Sequence, residues 1–580
     1  MIKMEIFVLI IGLIASFGWF FCLGHLIVWF LGNKQSNYST IFGISAATII
    51  AALGFITPWV AMPNPILHVS GLLFVFGWLI IRPPLPIVKR PPLTFIFFGC
   101  MILFTIYAVS YLLFPDWSFD SLSYHLPFIH HFAESGQIPL PDNPINWVDH
   151  VTFVFPKGVE ILFGLGEMLV PNSQGILQFI ILLATFACIE RLSQKAGVNR
   201  PFLGGLLFLA TTRMIDISKA FMVEQTIFFL FTLFLVILWE GRKSIHPSSF
   251  PLVFILAMSL TMTKINAFVY VGVALVIMYH FTRSHSLFFA GVAGGIAGLI
   301  ANYSYPFWRG VDLIFEFQIV QALTHSQAVP LMMRLDFLWR GLSTHIPTTI
   351  GIGILLAVLL FIYHKESRFL TLTLIVSTVA FIGVFAASNL FLFTYSQIWV
   401  YLFAFIGLTA IPIAIFLDGA VNPRFDVPLR DIGGIIALLV TVGALLGGAN
   451  GISYMSKGFF LMGTADSYPH LLENVPNEPS TNLLFMHNIN PITFGLEKAT
   501  ITDFTQYPIM KGIPCEFWKD QNITHIAYWW ADSNMFQLYG GNPKFYQDAK
   551  ASLRASECTT LLYDMNYFGI IIARVNIEPS

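Results

Sequence analysis

Charge is scarce in this sequence. Only 11% of its 580 residues are Asp, Glu, Lys or Arg, against roughly 25% in an ordinary soluble domain, so the chain cannot be water-soluble throughout. Its net charge of -1 offers no basic footprint for a nucleic acid. Cysteine is scarce as well, at five residues. Cys22, Cys100 and Cys188 sit inside apolar runs as packing residues. Cys515 and Cys558 fall in the polar C-terminal part, where a disulfide forms if the compartment is oxidising. The first apolar run, Glu5 to Leu31, lacks a small-residue cleavage site and reads as a retained helix. Residues 454–580 contain no GxGxxG, P-loop, HExxH or CxxC pattern, and nothing there calls for chemistry.

What is abundant is apolar sequence, 56% of the chain, with a mean hydropathy of +0.75. Apolar runs near the ~18 residues that cross a bilayer core mark a polytopic membrane protein. Crossings are predicted at 6–31, 41–60, 66–82, 94–114, 173–192, 201–213, 225–240, 251–263, 266–282, 286–304, 345–363, 369–388, 396–417 and 432–450. Lys and Arg favour the cytoplasmic loops. Arg82/Lys89/Arg90, Arg191/Lys195/Arg200, Arg242/Lys243, Arg283, Lys365/Arg368 and Arg424/Arg430 then all lie on one side, and no crossing is left over. The other side receives 115–160, the turns around 216–224 and Lys264, the loop from 302 to about 340, and everything after about 453. The stretch 159–170 is too short to cross and reads as an interfacial amphipathic helix.

The expected fold is a polytopic all-α membrane bundle carrying a small C-terminal external α/β domain. Residues 1–93 form N-terminal spans, 94–453 the transmembrane core, and 454–580 the external domain. In that domain 482–486, 525–529, 560–564 and 569–575 have strand character, and 544–556 reads as a helix.

The longest polar interruption of the core is 115–160. It holds Asp116, Asp120, Glu134, Asp142 and Asp149 against Lys157 alone, with His125, His130, His131 and His150. A loop this long and this acidic is more than a connector. Asp120, a few residues past a span, fits a general base that takes the proton from an acceptor hydroxyl. It fits a helix cap equally well, since Ser-Leu-Ser-Tyr follows it. His125 lies five residues and Tyr124 four beyond Asp120. The histidine suits a donor phosphate, a metal or a simple hydrogen bond, while the adjacent His130 and His131 make a poor chelate.

Glu224 begins a span at the same face, where a charge beside hydrocarbon usually has a reason; a structural pair with a lysine is the plainer role. Lys264, between two short spans, suits a phosphate or a snorkelling side chain. Arg309, Arg334 and Arg340 are cations on the side that disfavours them, and guanidinium groups grip phosphate.

FDSLSYHLPFIHHFAESGQI, then FPKGVEILFGLGEMLVP, then VEQ at 223–225 together resemble the integral-membrane GT-C glycosyltransferases, among them protein O-mannosyltransferases and lipid A aminoarabinose transferases. The resemblance covers about 94–450. It implies a polyprenyl-phosphate sugar donor, an envelope acceptor and transfer on the external face, with the bacterial inner membrane as the setting and inversion at the anomeric carbon. Asp120 takes the first acidic position and Glu224 the second, both catalytic. Tyr124, His125, Lys157, Lys264 and Arg309 become donor-binding candidates; no metal and no cofactor are implied. Two features depart from the pattern: QIWVY at 397–401 replaces a late Arg-Tyr step, and three spans precede the core. The rival class is a multi-span transporter of a polar or lipid-linked solute. Transporters carry midplane charges and often repeats, whereas here the charges gather at one face and no repeat is visible.

Overall fold

The computed structural model describes residues 2–32, 37–86, 93–113, 125–138, 157–210, 222–241, 249–264, 267–308, 348–387, 407–418, 473–485, 499–503, 515–520, 522–530, 556–564 and 569–576. They fall into two compact units. A helical unit comprises Met1–Pro115, Phe128–Leu140 and Thr152–Ile452; the second comprises Asp116–Pro127, Pro141–Val151 and Ser453–Ser580.

Among the described residues of the helical unit, six helices are long and apolar enough to cross a membrane: Ile6–Phe30, Tyr38–Ile56, Asn64–Ile81, Gln174–Lys195, Val223–Gly241 and His285–Trp308. Phe95–Leu113, Ser249–Thr263, Ala267–Thr282, Thr348–Tyr363 and Arg368–Ala387 are helices where crossings were predicted. Of the crossings predicted at 201–213 and 396–417, the helices Leu203–Ala210 and Ala410–Leu417 are described; 432–450 lies outside the described residues. Local chemistry sets the boundaries. Asn37 caps Tyr38–Ile56, its side-chain oxygen accepting from the Thr40 N–H at 2.8 Å, and Asn64–Ile81 opens on Asn-Pro, where a missing N–H costs nothing.

Cross-helix hydrogen bonds fix the directions. Gln225 Nε2 donates to the Gln178 carbonyl at 3.0 Å, while Arg191 and Lys195 both pair with Glu240, Lys195 at 3.2 Å. Early residues meet early and late meet late, so Gln174–Lys195 and Met222–Gly241 run parallel and the chain between them crosses back. Phe95–Leu113 runs the opposite way: Cys100 lies against the Phe202 carbonyl (3.8 Å), Tyr107 donates to the Leu209 carbonyl (3.1 Å) and Tyr111 to Gln225 Oε1 (3.3 Å). The bundle therefore has a Glu224 end and a Glu240 end, roughly 24 Å apart at 1.5 Å per residue.

Cations gather at the Glu240 end. There Asp418 accepts from the N–H groups of Asn199 (2.7 Å) and Arg200 (3.1 Å), and Glu190 accepts from that of Phe202 (2.7 Å). The Gly197 turn, at φ +101, packs against His364 and Glu366. The loops around 191–200 and 364–368 thus share one end, as the alternation of Lys and Arg requires.

Burial sorts the helices. Val223–Gly241 is enclosed almost completely, whereas most of Asn64–Ile81 faces outward through residues such as Leu73, Phe76 and Ile80. Apolar side chains facing outward over the length of a helix belong in hydrocarbon, and the chain is an integral multi-pass membrane protein. Tyr38–Ile56 is an inner helix too, with Gly43 against Leu233 and Phe229 and Gly54 against Met262. Ser249–Thr263 and His285–Trp308 run parallel and close together. Gly294 meets the Phe254 backbone and Gly298 the Met258 carbonyl, the small-residue spacing that lets membrane helices approach.

The stretch predicted as an interfacial amphipathic helix is indeed helical, Gly158–Leu169, but it is not amphipathic in its surroundings. All its residues are buried except Glu167. Three glycines explain this, because each admits a neighbour: Met262 and Ile50 at Gly158, Phe132 at Gly164, Ser173 and Leu177 at Gly166.

The second unit holds a five-stranded sheet: β1 (Asn482–Phe485), β2 (Thr500–Asp503), β3 (His525–Trp530), β4 (Thr559–Asp564) and β5 (Gly569–Val575), in the order β2-β1-β3-β5-β4. β1 pairs parallel with β2 and β3, and β5 pairs antiparallel with β3 and β4. Its core includes Leu483, Leu484, Ile526, Ala527 and Ile572. The four predicted strands are present. β2, with the polar sequence TITD, and the short helix Cys515–Asp520 carry too little apolar pattern to be read beforehand. The helix expected at 544–556 lies outside the described residues except Ser556. Cys558 is disulfide-bonded, and Cys22, Cys100 and Cys188 are free.

Candidate active site

The Glu224 end collects the titratable groups. Glu224 stands in the first turn of Met222–Gly241, where the helix dipole favours a carboxylate, and is buried. Its partner is Lys264, which forms an ion pair with it. The lysine occupies the break between Ser249–Thr263 and Ala267–Thr282. Its N–H donates to the Leu260 carbonyl at 3.1 Å and its own carbonyl accepts from the Ala267 N–H at 3.0 Å, so the chain reverses there with its backbone groups satisfied.

Lys157 immediately precedes the helix Gly158–Leu169 and is buried. Its ammonium lies 5.2 Å from the centre of the Phe128 ring, within cation–π range. Burial pushes its pKa down to about 8, against the opposing pull of Glu160 one turn later. Glu160 is itself buried. Gly158 packs so closely on the Met262 carbonyl that an added Cβ would lie 2.7 Å from it. Lys157 and Lys264 therefore flank one backbone contact. Two cations and two carboxylates meet at this end, each buried or largely so.

Polar and aromatic groups complete the surroundings. Gln225 accepts from Tyr111 and donates to Gln178. Trp59, Tyr305 and Trp308 form an aromatic cluster, Trp59 edge-on to Tyr305 and the other pairs tilted, with ring centroids 4.9 Å (Trp59–Tyr305), 5.7 Å (Trp59–Trp308) and 6.1 Å (Tyr305–Trp308) apart. The N–H of Met62 donates to the Gly136 carbonyl at 2.8 Å, anchoring the end of the helix Leu126–Ser135 beside them.

The predicted residues divide accordingly. Glu224 and Lys264 pair, and Lys157 lies against Phe128 beside the Gly158–Met262 contact. His125 is buried and belongs to the second unit, and His130 and His131 are exposed. Asp120, Tyr124 and Arg309 lie outside the described residues. Glu160, Gln225, Gln178 and Tyr111 were not singled out in the sequence. Only the Gln beside Glu224, a second polar residue entering an apolar run, offered a signal.

No family model matches the sequence, and no curated protein does. Solved structures do. ArnT from Cupriavidus metallidurans, bound to undecaprenyl phosphate, matches with a TM-score of 0.50 at 11% identity over 83% of this chain and 98% of that one. The arabinofuranosyltransferase AftD from Mycobacteria matches with a TM-score of 0.41 at 13% identity, over 84% of this chain and 40% of that one. This chain thus spans well under half of that enzyme's length. ArnT is a GT-C glycosyltransferase, and on that likeness this chain has the GT-C fold: a polytopic helical bundle with a small C-terminal sheet region.

Proposed function

We propose that this protein is a GT-C glycosyltransferase that moves a sugar from a polyprenyl-phosphate donor to an acceptor of the cell envelope. The observation that carries the proposal is the Glu224–Lys264 ion pair, with Lys157 preceding the Gly158–Met262 contact, at the end of the bundle where Tyr111 meets Gln225. Two residues past Tyr111 the helix Phe95–Leu113 ends, and Asp120 of the acidic loop follows seven residues further on in the sequence.

In this reading an acceptor hydroxyl attacks the anomeric carbon as Asp120 takes its proton. The bond from that carbon to the phosphate oxygen breaks, its electrons staying with the polyprenyl phosphate, and the configuration inverts. Lys264, Lys157 and Arg309 receive the negative charge of the leaving phosphate; Tyr124 and His125 contact the donor. Glu224 keeps Lys264 charged and aimed, which is how it assists. No metal takes part. ArnT was solved with undecaprenyl phosphate, which supports a polyprenyl-phosphate partner here.

Two observations support an external active site. The basic loops around 191–200 and 364–368 share the Glu240 end, which the positive-inside bias makes cytoplasmic, and Cys558 is disulfide-bonded, which suits an oxidising compartment. The bacterial periplasm is the setting that fits both.

The test is sugar transfer by purified protein with a panel of polyprenyl-phosphate sugars. Turnover by wild type that falls about 10²–10⁴-fold in a folded Asp120→Asn variant supports the class and its base. Equal turnover in the two moves the base elsewhere. No turnover with any donor, together with solute uptake in proteoliposomes, replaces the enzyme with a transporter.

A further inference from the structure

Gln225 follows Glu224 and is only 1% exposed. Its amide oxygen accepts from the Tyr111 hydroxyl at 3.3 Å and its amide nitrogen donates to the Gln178 carbonyl at 3.0 Å. One side chain thereby joins three helices near their Glu224 ends. Tyr111 belongs to the helix that leads into the acidic loop, and Gln178 to the helix entered from the buried segment Gly158–Leu169.

Polar groups buried inside a membrane bundle are costly unless matched. Apolar side chains pack the same helix without that cost, as Ile227, Phe228 and Phe229 do immediately afterwards. A hydrogen-bonded amide adds direction, because its bonds have preferred lengths and angles that dispersion contacts lack. Successive residues of a helix point about 100° apart, so clamping Gln225 on two sides also sets where Glu224 points. The Gln178 amide nitrogen is itself buried without a hydrogen-bond partner, so towards Gln225 this helix offers its backbone and not its side chain.

We propose that Gln225 is a positioning residue for the transfer reaction. Held between Tyr111 and Gln178, it turns Glu224 towards Lys264 and keeps that pair in register with the helix end from which Asp120 follows. The inference rests on the glycosyltransferase reading given above.

Gln225→Leu, Tyr111→Phe and the double variant, purified in the same detergent, test it. Gln225→Leu is expected to lower kcat about 10–100-fold, the scale on which a small misplacement acts, with the donor KM within about threefold of wild type. Tyr111→Phe, which leaves the Gln178 bond in place, shows a smaller change of the same kind. The double variant is no slower than Gln225→Leu, as coupled residues require. If Gln225→Leu does not fold, Tyr111→Phe carries the same readouts. Lowered thermal stability with kcat and KM both unchanged makes the node merely structural and overturns the inference while the glycosyltransferase reading stands. Absence of transfer by wild type with every polyprenyl-phosphate sugar overturns both.

Discussion

Glu224 and Lys264 form an ion pair that joins the first turn of one membrane helix to the break between two others. With side-chain exposures of 6% and 23%, the pair is shielded from water, and losing one partner strands the other charge. Glu224→Gln and Lys264→Met are each expected to destabilise the protein by about 3 kcal/mol, near the lower end for breaking a buried pair because the lysine is partly wet. The double variant loses less than the two together. Thermal unfolding in detergent reads this directly; additive losses refute the coupling.

Lys157 gives the protein two opposite pH responses. Its folded pKa of about 8 lies below the usual lysine value of 10.5. Below pH 8 both folded and unfolded states hold the proton, and the burial cost is paid in full. Between about 8 and 10.5 the unfolded chain holds more protons, so this group makes stability rise with pH. Donor binding moves the other way, because neutral Lys157 attracts phosphate less. The KM for a polyprenyl-phosphate sugar is expected to rise through pH 8 in wild type and to stay flat in Lys157→Met.

Gly158 has no room for a side chain. An added methyl would meet the Met262 carbonyl oxygen at 2.7 Å and Ile50 Cγ2 at 2.8 Å, and a backbone carbonyl does not move aside cheaply. Gly158→Ala is expected to cost about 1–3 kcal/mol and to raise donor KM, since Lys157 and Lys264 flank that contact. An unchanged KM in the folded variant separates the two lysines functionally.

Metal independence is open to a direct trial. Transfer is expected to continue unchanged after treatment with EDTA. Loss of activity that Mg²⁺ or Mn²⁺ restores would instead assign a cation to the donor phosphate.

Thiol counting tests the C-terminal unit. Denatured without reductant, the protein is expected to expose three reactive thiols, those of Cys22, Cys100 and Cys188. All five cysteines of the sequence should react after reduction. Five thiols before reduction would remove the disulfide at Cys558 and with it one support for the external face.

Much of the architecture was legible in the sequence because a bilayer imposes simple rules. A span must be long, apolar and internally hydrogen-bonded, so runs such as 41–60, 173–192 and 286–304 announce themselves. The bias of Lys and Arg orders the loops, which is why 191–200 and 365–368 could be assigned to one side. Short strands with alternating apolar residues, as at 525–530 and 569–575, are legible for the same local reason. Glu224 and Lys264 stood out because a charge bordering hydrocarbon is expensive, and Lys157 as the lone basic residue of the acidic loop.

Partnership was decided only in three dimensions. Nothing local says that Glu224 pairs with Lys264, forty residues away. That choice follows from two helices running side by side. Nor does the segment Gly158–Leu169 reveal its burial: its apolar content suggests one wet face, but its glycines admit neighbours from several directions, and what a glycine admits depends on which helices arrive. Gln225 looks like a stray polar residue until Tyr111 and Gln178 converge on it. Composition and periodicity determine which segments enter the membrane, because each segment settles with lipid alone. The site depends on contacts between segments distant in sequence, and those exist only once the helices have packed.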